Sequence, residues 1–275
     1  MNDNEIFQIN IREIIKTKAP KLYKKIPGYF INLLAKIICQ DKLNDILQRN
    51  ADVTGVDFME SAVKDFKITI RLKGTENLPD FATKCIFAAN HPLGGLDGIC
   101  LSAVLGKKYD KKIKYLVNDV LYFLKPLQNI FVPINKYGSQ AKGAASMINE
   151  AFSSDNQMIT FPAGLCSRKI KGEIVDLEWK KMFIAKAIEY QRDVVPVYFE
   201  ARNSKLFYNI ANIRKKLGIK FNIELLLLPS EMFKAENSVF TIYFANPISW
   251  QTFDSSKTHQ QWANEVKKLV YNINR

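Results

Sequence analysis

The stretch CIFAANHPLGGLDG, from Cys85 to Gly98, decides which fold the sequence predicts. Its opening segment, CIFAAN, is apolar almost throughout and is typical of a buried strand. A pair of glycines then permits a tight turn, and residues from about 97 to 106 are typical of a short helix. In open α/β sheets, ligands bind where strands end and loops begin. The stretch therefore predicts a strand, a functional loop and a helix in succession.

The rest of the chain continues this alternation. Further strands are predicted at KITIRLKG, IKYLVN, IFVPIN, MITFP, VVPVYFEA and SVFTIYFA, and further helices at about 141–152, 180–191 and 257–273. Strands that alternate with helices favour crossover units, so we predict an α/β fold with a mostly parallel mixed sheet flanked by helices. An antiparallel pairing remains open for KITIRLKG. With 275 residues the chain can bury one substantial core, and we place the α/β domain at 51–275.

The first fifty residues differ in texture from the rest. Residues 5–50 are predicted to be helical, with Pro27 suited to a first turn. An apolar stripe at helical spacing comprises Ile26, Tyr29, Phe30, Leu33, Leu34, Ile37 and Ile38. A basic cluster precedes it, formed by Lys16, Lys18, Lys21, Lys24 and Lys25. This arrangement suits the surface of an anionic bilayer, although a helix packed on the core has the same periodicity. We predict an amphipathic, membrane-associating segment at 1–50.

Charge and cysteine usage limit the classes of function. Lys and Arg total 40 against 27 Asp and Glu, and the net charge of +13 favours an anionic partner: nucleic acid, an acidic membrane surface or a phosphorylated substrate. The four cysteines, Cys39, Cys85, Cys100 and Cys166, are scattered without metal-ligand spacing, which indicates a reduced, cytosolic protein without a metal site. The start of the chain is acidic and polar, unlike a secretory signal. No apolar run reaches the roughly 18 residues of a spanning helix.

The predicted loop after CIFAAN carries groups suited to proton transfer. Imidazole has an ordinary pKa near 6.5, so His91 can accept a proton at neutral pH. A carboxylate such as Asp97 can hold the ring in one tautomer and stabilise its charged form, and the glycines between them let the chain fold back. The alternative is a core histidine beside a local Asx turn.

Two other predicted strands end in polar or cationic residues. FPAGLCSRK follows MITF, and there Pro162 and Gly164 shape a turn while Ser167 and Arg168 offer donors to an anion. IFVPINK places Lys136 at the end of a further strand. Ordinary turns with solvated basic residues have the same pattern. Because parallel strands end at one sheet edge, we predict that these groups converge on His91.

These stretches occur in the order of the motif blocks of the glycerophosphate and lysophospholipid acyltransferases, which they resemble over roughly 85–200. Asn-His followed by Asp resembles the first block, IFVPINK the second, FPAGLCSR the third and VVPVYF, with Pro196, the fourth. The resemblance implies acyl transfer from acyl carrier protein or acyl-CoA to a lyso-lipid hydroxyl, at the inner face of the cell membrane and without a cofactor. It implies His91 as general base oriented by Asp97. The substrate-binding residues it implies are Asn90, Lys136, Phe161, Pro162, Gly164, Ser167 and Arg168.

The sequence departs from the family pattern in three ways. Five residues separate His91 from Asp97 where the family has four. Ala163 replaces the usual glutamate of the third block, and Leu165 replaces its usual threonine. The variant blocks resemble a bacterial, haemolysin-like subgroup linked to amino-acid-containing lipids, in which a hydroxyl on an acylated glycine or ornithine receives the second chain. We therefore expect a carboxylate-bearing acceptor to be preferred over lysophosphatidic acid. Backbone N–H groups near Gly164 and Leu165 are candidates for stabilising the oxyanion.

Two other functions are compatible with the sequence. Cys166, near cationic residues and activated by His91, would make the protein a thioesterase or an acyltransferase that forms a covalent intermediate. The positive charge alone is also compatible with nucleic-acid binding, although no recognisable module is present and no nucleic-acid partner is expected.

Overall fold

The computed structural model describes residues 7–118, 121–134 and 141–273. The helices are α1 (Ile11–Lys18), α2 (Pro20–Tyr23), α3 (Gly28–Ile37), α4 (Gln40–Arg49), α5 (Gly55–Asp65), α6 (Leu96–Lys108), α7 (Ala141–Ser153), α8 (Met182–Glu189), α9 (Lys205–Lys216), α10 (Leu228–Lys234) and α11 (His259–Asn272). The strands are β1 (Thr69–Lys73), β2 (Cys85–Ala89), β3 (Ile113–Val117), β4 (Phe131–Pro133), β5 (Gln157–Thr160), β6 (Arg168–Ile170), β7 (Glu173–Val175), β8 (Asp193–Glu200) and β9 (Val239–Phe244). Each predicted strand is therefore present.

Within these described ranges, seven strands form one sheet in the order β1-β9-β8-β2-β5-β3-β4, and β6 and β7 form a separate antiparallel hairpin. Neighbouring strands of the sheet are parallel except for β8 and β9. The predicted mostly parallel α/β fold is confirmed. The antiparallel pairing left open for the first strand is not formed, because β1 pairs parallel with β9. Since β9 is antiparallel to β8, β1 nevertheless runs opposite to the central strands.

Strand β2 lies inside the sheet and contributes to a core on each face. Cys85, Phe87 and Ala89 pack into a core with α5 and α6, whereas Ile86 and Ala88 pack into a second core with α7, α8 and α11. Helices thus cover both faces of the sheet, which is why the sequence of β2 is continuously apolar instead of alternating. The carboxyl ends of β2, β5 and β8, which are parallel neighbours, meet at one edge.

Helix α3 turns three residues of the predicted apolar stripe towards solvent. Tyr29, Phe30 and Leu33 are 64%, 50% and 51% exposed, while Ile31 is 2% exposed. Because successive residues of a helix are about 100° apart, Ile31 projects from the side opposite Tyr29. The alternative, in which the whole stripe packs on the core, is therefore wrong for these three residues. It holds at the end of the stripe, where Ile38 is buried.

The boundary predicted at residue 50 falls between α4 and α5. Ile46 and Leu47 of α4 nevertheless pack into the same core as α5 and α6, so the N-terminal helices are joined to the sheet by apolar contacts. No helix of the described chain is both long and apolar enough to span a bilayer.

Periodicity in the sequence predicted no element at α5, at the β6–β7 hairpin or at α9 and α10. The strands of the hairpin are only three residues each, too short for an alternating pattern to be recognised. Helix α9 carries apolar side chains on its outer as well as its inner face, so its sequence lacks the single stripe that indicates an amphipathic helix.

Candidate active site

His91 follows β2 at the carboxyl edge of the sheet and is paired with Asp97 in the first turn of α6. The Nδ1 atom of His91 lies 3.0 Å from Oδ2 of Asp97. The side chain of Asp97 is fully buried, and that of His91 is 13% exposed. With Nδ1–H donating to the carboxylate, the lone pair of the neutral ring is on Nε2, which has no hydrogen-bond partner among the described residues. The pair that the sequence predicts is thus formed, and its free nitrogen can accept a proton.

The loop between the two residues is folded around the carboxylate of Asp97. Backbone N–H groups of Leu93, Gly94, Gly95 and Gly98 donate to its oxygens at 2.9 to 3.3 Å. Gly94 has a φ of +76°, a conformation that residues with a Cβ rarely adopt, and a Cβ there would lie 2.9 Å from Cys166 Cβ. This local geometry accommodates the additional residue between histidine and aspartate.

The electrostatics of the pair favour a charged carboxylate beside a basic imidazole. Burial acts to lower the pKa of His91, but the negative charge of Asp97 and its hydrogen bond outweigh burial, so the pKa is raised above its ordinary 6.5. Burial acts in the opposite direction on Asp97. There the charge and hydrogen bond of His91, together with donation from Leu93 and Gly98, lower the pKa of the carboxyl below its ordinary value. The geometry therefore stabilises an imidazolium once a proton has been accepted.

Aromatic rings form one wall beside His91. The ring of Phe161 lies 4.2 Å from that of His91, centroid to centroid, at an interplanar angle of 30°. Tyr115 packs against Phe161 at 5.4 Å. Since Phe161 directly follows β5 and Tyr115 belongs to β3, these two neighbouring strands place the aromatic rings beside the imidazole. Phe161 thus lies beside the catalytic candidate, and its role in binding substrate stays a prediction.

The backbone of His91 is fixed by the segment that follows β5. The N–H of Ser167 donates to the carbonyl of His91 at 2.8 Å. The N–H of His91 donates to Asp176 at 3.2 Å, and the same carboxylate accepts from the Ser167 hydroxyl at 2.6 Å and from the Trp179 indole at 2.8 Å. Asp176 is buried, and burial outweighs these donors to raise its pKa. Ser167, predicted to contact substrate, instead links His91 to Asp176.

Sequence reasoning did not identify Asp176 as part of the site. The only signal available was a carboxylate between two apolar residues in VDLEW. Its role depends on donors 85 residues before it in the chain and three residues after it, which no local pattern indicates.

Arg168 is occupied by partners inside the protein. Its guanidinium donates to Glu224 at 2.9 Å and to the carbonyl of Cys166 at 2.6 Å. Glu224 is fully buried and also pairs with Arg214 at 2.8 Å. A buried charge needs such pairing, because transfer from water is otherwise strongly unfavourable. The guanidinium expected to contact a substrate anion therefore joins two distant segments instead.

Asn90, Pro162 and Gly164 also have structural partners. The side chain of Asn90 exchanges two hydrogen bonds with the backbone of Phe199 on β8. The carbonyl of Pro162 accepts from the N–H of Lys180. The N–H of Gly164 donates to the carbonyl of Phe161 at 2.9 Å, so it is already used in the turn.

Of the two backbone amides considered for an oxyanion, that of Leu165 is without a partner in the described part of the chain. Lys136, the remaining predicted substrate contact, lies outside the described residues.

The environment of Cys166 does not favour a nucleophile. The residue is 2% exposed, and burial raises the pKa of its thiol to about 11 in spite of the nearby Arg168. A thiol with this pKa is almost entirely protonated at neutral pH and is a poor nucleophile.

A cavity of about 510 Å³ borders the His91 loop, since Leu93, two residues after His91, belongs to its wall. The loop is joined to this wall by a hydrogen bond from Asn203 to the carbonyl of Pro92. Four cationic residues line the cavity, namely Lys169, Arg202, Lys205 and Lys234. Of these, Lys234 is paired with Glu231, and the other three have no ion-pair partner among the described residues. The cavity is therefore electropositive.

No group of three or more His, Cys, Asp or Glu with metal-binding geometry occurs in the described ranges.

Comparison with known proteins places these features in a family. The family model described as Acyltransferase matches residues 13–275. A lyso-glycine lipid O-acyltransferase from Bacteroides thetaiotaomicron is 52% identical over 273 residues, which cover 99% of this chain and all of the relative. A lyso-glycine lipid O-acyltransferase from Phocaeicola vulgatus is 51% identical, with 99% of this chain and 98% of the relative covered.

A solved structure supports the fold. The crystal structure of the 1-acyl-sn-glycerophosphate acyltransferase of Thermotoga maritima matches with a TM-score of 0.50 and 17% identity, over 90% of this chain and 92% of that chain. At this identity the likeness concerns the fold alone. The thioesterase and nucleic-acid hypotheses are not favoured by any of these findings. Because the family model spans nearly the whole chain and relatives are about half identical over their full lengths, the chain belongs to the acyltransferase family.

Proposed function

We propose that this acyltransferase transfers a fatty acyl chain from an acyl carrier protein or CoA thioester to the hydroxyl of a lyso-glycine lipid at the inner face of the cell membrane. The observation that carries the proposal is the sequence identity of 52% and 51%, over 99% of this chain, to two lyso-glycine lipid O-acyltransferases. The paired His91 and Asp97 supply the chemistry that such a transfer requires.

In the proposed mechanism, Nε2 of His91 removes the proton of the acceptor hydroxyl as its oxygen forms a bond to the thioester carbonyl carbon. Asp97 holds the ring and stabilises the imidazolium. The carbon–sulfur bond of the tetrahedral intermediate then breaks, and the leaving thiolate takes the proton from the imidazolium. The N–H of Leu165 is our candidate for stabilising the oxyanion. The chain needs no covalent intermediate for this sequence.

We propose that the electropositive cavity holds the carboxylate of the acceptor. Arg168, the cation predicted for this role, is paired with Glu224, whereas Lys169, Arg202 and Lys205 are available. Glu231 in the same wall is ionised, because hydrogen bonds from Lys234 and Ser204 outweigh burial and lower its pKa. Among the described residues, three unpaired cations outnumber this single paired carboxylate, so the cavity is net positive and is suited to an anionic group such as the acceptor carboxylate.

Membrane association through α3 is also a proposal. Its exposed Tyr29, Phe30 and Leu33 provide an apolar surface next to the exposed Lys24 and Lys25. Aromatic and apolar side chains beside lysines are the composition of interfacial helices.

The deciding experiment is a competition between lyso-glycine lipid and lysophosphatidic acid at equal concentration, run once with acyl carrier protein and once with CoA as carrier. We expect the lyso-glycine lipid to be consumed first. Arg202→Gln/Lys205→Gln should raise the KM for that acceptor about 100-fold or more and leave the KM for the donor unchanged, since each of the two charge-assisted contacts contributes about 1.5–3 kcal/mol. Preferential acylation of lysophosphatidic acid by the unmodified enzyme would contradict the proposed acceptor. An unchanged acceptor KM in the variant would contradict only the role of the cavity.

A further inference from the structure

The segment from Leu206 to Ile223 exposes more large apolar side chains than its packing explains. Six of them are between 38% and 68% exposed, namely Leu206, Ile213, Leu217, Ile219, Phe221 and Ile223. They lie within eighteen consecutive residues and begin on α9. A soluble surface rarely collects apolar side chains so densely unless the surface binds something.

The exposed apolar residues of α9 lie on one side of the helix. Leu206, Ile213 and Leu217 are separated by seven and four residues, which places them on a single helical face. Phe207 and Tyr208 project from the other side and are buried against the domain. The helix is thus already anchored by one apolar face, and the second faces solvent. Core packing explains the first and leaves the second unpartnered.

The charges on this surface are all positive. Arg214, Lys215, Lys216 and Lys220 lie in the segment, and residues 206–223 contain no Asp or Glu. Lys215, Lys216 and Lys220 are exposed, so the segment presents cationic groups to solvent together with its apolar side chains. An apolar face bordered by lysines, without acidic residues, is complementary to an anionic lipid surface.

We propose that residues 206–223, the α9 face, form a lipid-docking surface distinct from α3. Its occupant is an anionic bilayer: Leu217 and Phe221 enter the interface, and the lysines contact the headgroups. The site that the domain presents to its acceptor would then be held at a fixed orientation to the membrane. This inference concerns where the protein meets lipid, and it does not depend on which lyso-lipid is acylated.

Buried ion pairs connect the α9 face rigidly to the active-site loop. The guanidinium of Arg214 donates to Glu224 at 2.8 Å and to the carbonyl of Ile219 at 2.7 Å, which fixes the turn after α9. Glu224 in turn pairs with Arg168. The next residue towards the site, Ser167, donates from its N–H to the carbonyl of His91. The docking surface and the candidate base are therefore joined through a short series of buried contacts.

The test is flotation of the full chain with vesicles of phosphatidylglycerol and phosphatidylcholine at low salt. Leu217→Ser/Phe221→Ser changes two side chains that are 68% and 66% exposed, so folding should be unaffected. We expect the vesicle partition coefficient to fall on the order of 100-fold, because burying each of the two side chains contributes about a factor of ten. Lys215→Gln/Lys216→Gln/Lys220→Gln should lower it on the order of 100-fold and reduce its dependence on salt.

A matched control is Leu72→Ser/Leu269→Ser, which changes two apolar side chains that are 41% and 50% exposed elsewhere on the surface. This control should partition like the unmodified protein. A second readout is turnover of short-chain substrates below their micelle concentration, which the α9-face variants should leave unchanged.

Equal vesicle partition of the Leu217→Ser/Phe221→Ser variant and the unmodified protein would overturn the proposal. So would unchanged partition combined with a fall in kcat/KM for acyl carrier protein, since the surface would then contact the acidic donor protein instead of lipid.

Discussion

Asp97 lies 3.0 Å from Nδ1 of His91 although five residues separate them in the chain. Three successive N–H groups, those of Leu93, Gly94 and Gly95, converge on the carboxylate and fold the loop tightly around it. The additional residue is thus absorbed within the turn, and the histidine and aspartate remain paired. Charge on Asp97 both holds the turn together and orients the imidazole.

The turn predicts a strong effect of adding one methyl group at Gly94. In Gly94→Ala, the new Cβ would meet Cys166 and Leu228 at 2.9 Å with a φ of +76°. We expect a loss of about 1–3 kcal/mol in the free energy of unfolding and a fall in kcat, measured by urea unfolding and initial rates. Gly143→Ala, in α7 with open space around it, is the control and should keep the rate while raising stability by about 0.5–1 kcal/mol, since alanine favours a helix over glycine. Equal stability of the two variants would show that the turn tolerates a side chain.

The pKa of His91 predicts the pH dependence of transfer. A base must be neutral to accept a proton, and the raised pKa means that kcat/KM falls as the pH drops through a value above 6.5. Asp97→Asn removes the charge that opposes burial, so the acid limb of the pH profile should move to lower pH while the rate falls.

His91→Ala should reduce turnover by about 10²–10⁴ without unfolding the protein. Near-normal turnover of folded His91→Ala would exclude the proposed base.

Cys166→Ala should retain activity. The substitution keeps the Cβ next to Gly94 and removes a buried thiol with a pKa of about 11. The sulfur also accepts a hydrogen bond from Arg168 at 3.1 Å, but the same guanidinium keeps its bonds to the Cys166 carbonyl and to Glu224. No labelled acyl-enzyme should appear when the reaction is quenched with radioactive donor. Label recovered on Cys166 in the unmodified enzyme would instead demonstrate the covalent route.

Asp176→Asn should weaken the support of His91. The two oxygens of the carboxylate accept from the His91 N–H, the Ser167 hydroxyl and the Trp179 indole. An amide has only one acceptor oxygen, so at least one of these buried donors loses its partner. The expected cost is about 1–3 kcal/mol in the free energy of unfolding. We expect kcat to fall more than acceptor KM rises, since Asp176 fixes the backbone of the base. Glu178→Gln, two residues away with its side chain 63% exposed, is the matched control. Identical unfolding midpoints and rates for both variants would refute this role.

Arg168→Ala distinguishes a structural from a ligand-binding role. Removing this partner leaves Glu224 buried beside Arg214 alone, and breaking a buried ion pair typically costs about 3–5 kcal/mol. Calorimetry should therefore show a large drop in melting temperature. A variant of unchanged stability with a raised acceptor KM would restore Arg168 as a substrate contact.

The sequence by itself determined the layered α/β architecture and the pairing of His91 with Asp97, the candidate base and its partner. The continuous apolar run of β2 indicates a strand buried on both faces, and the glycines after His91 indicate a tight loop at its end. These signals lie within short stretches, so they can be recognised without knowing how the rest of the chain folds. The family resemblance, which also rests on short stretches, is confirmed by the comparisons for the same reason.

Only the tertiary structure decided which partners the polar residues of FPAGLCSR, the third block, contact. Ser167 and Arg168 have the composition of ligand contacts, yet burial commits them to Asp176 and Glu224, residues up to 56 positions away. The same holds for the apolar stripe of α3, whose periodicity is identical whether it faces lipid or core. Which face is buried depends on long-range packing, and hydrogen bonds between distant segments are formed only after folding. Sequence patterns record residue type and spacing, whereas partner choice is set by the fold.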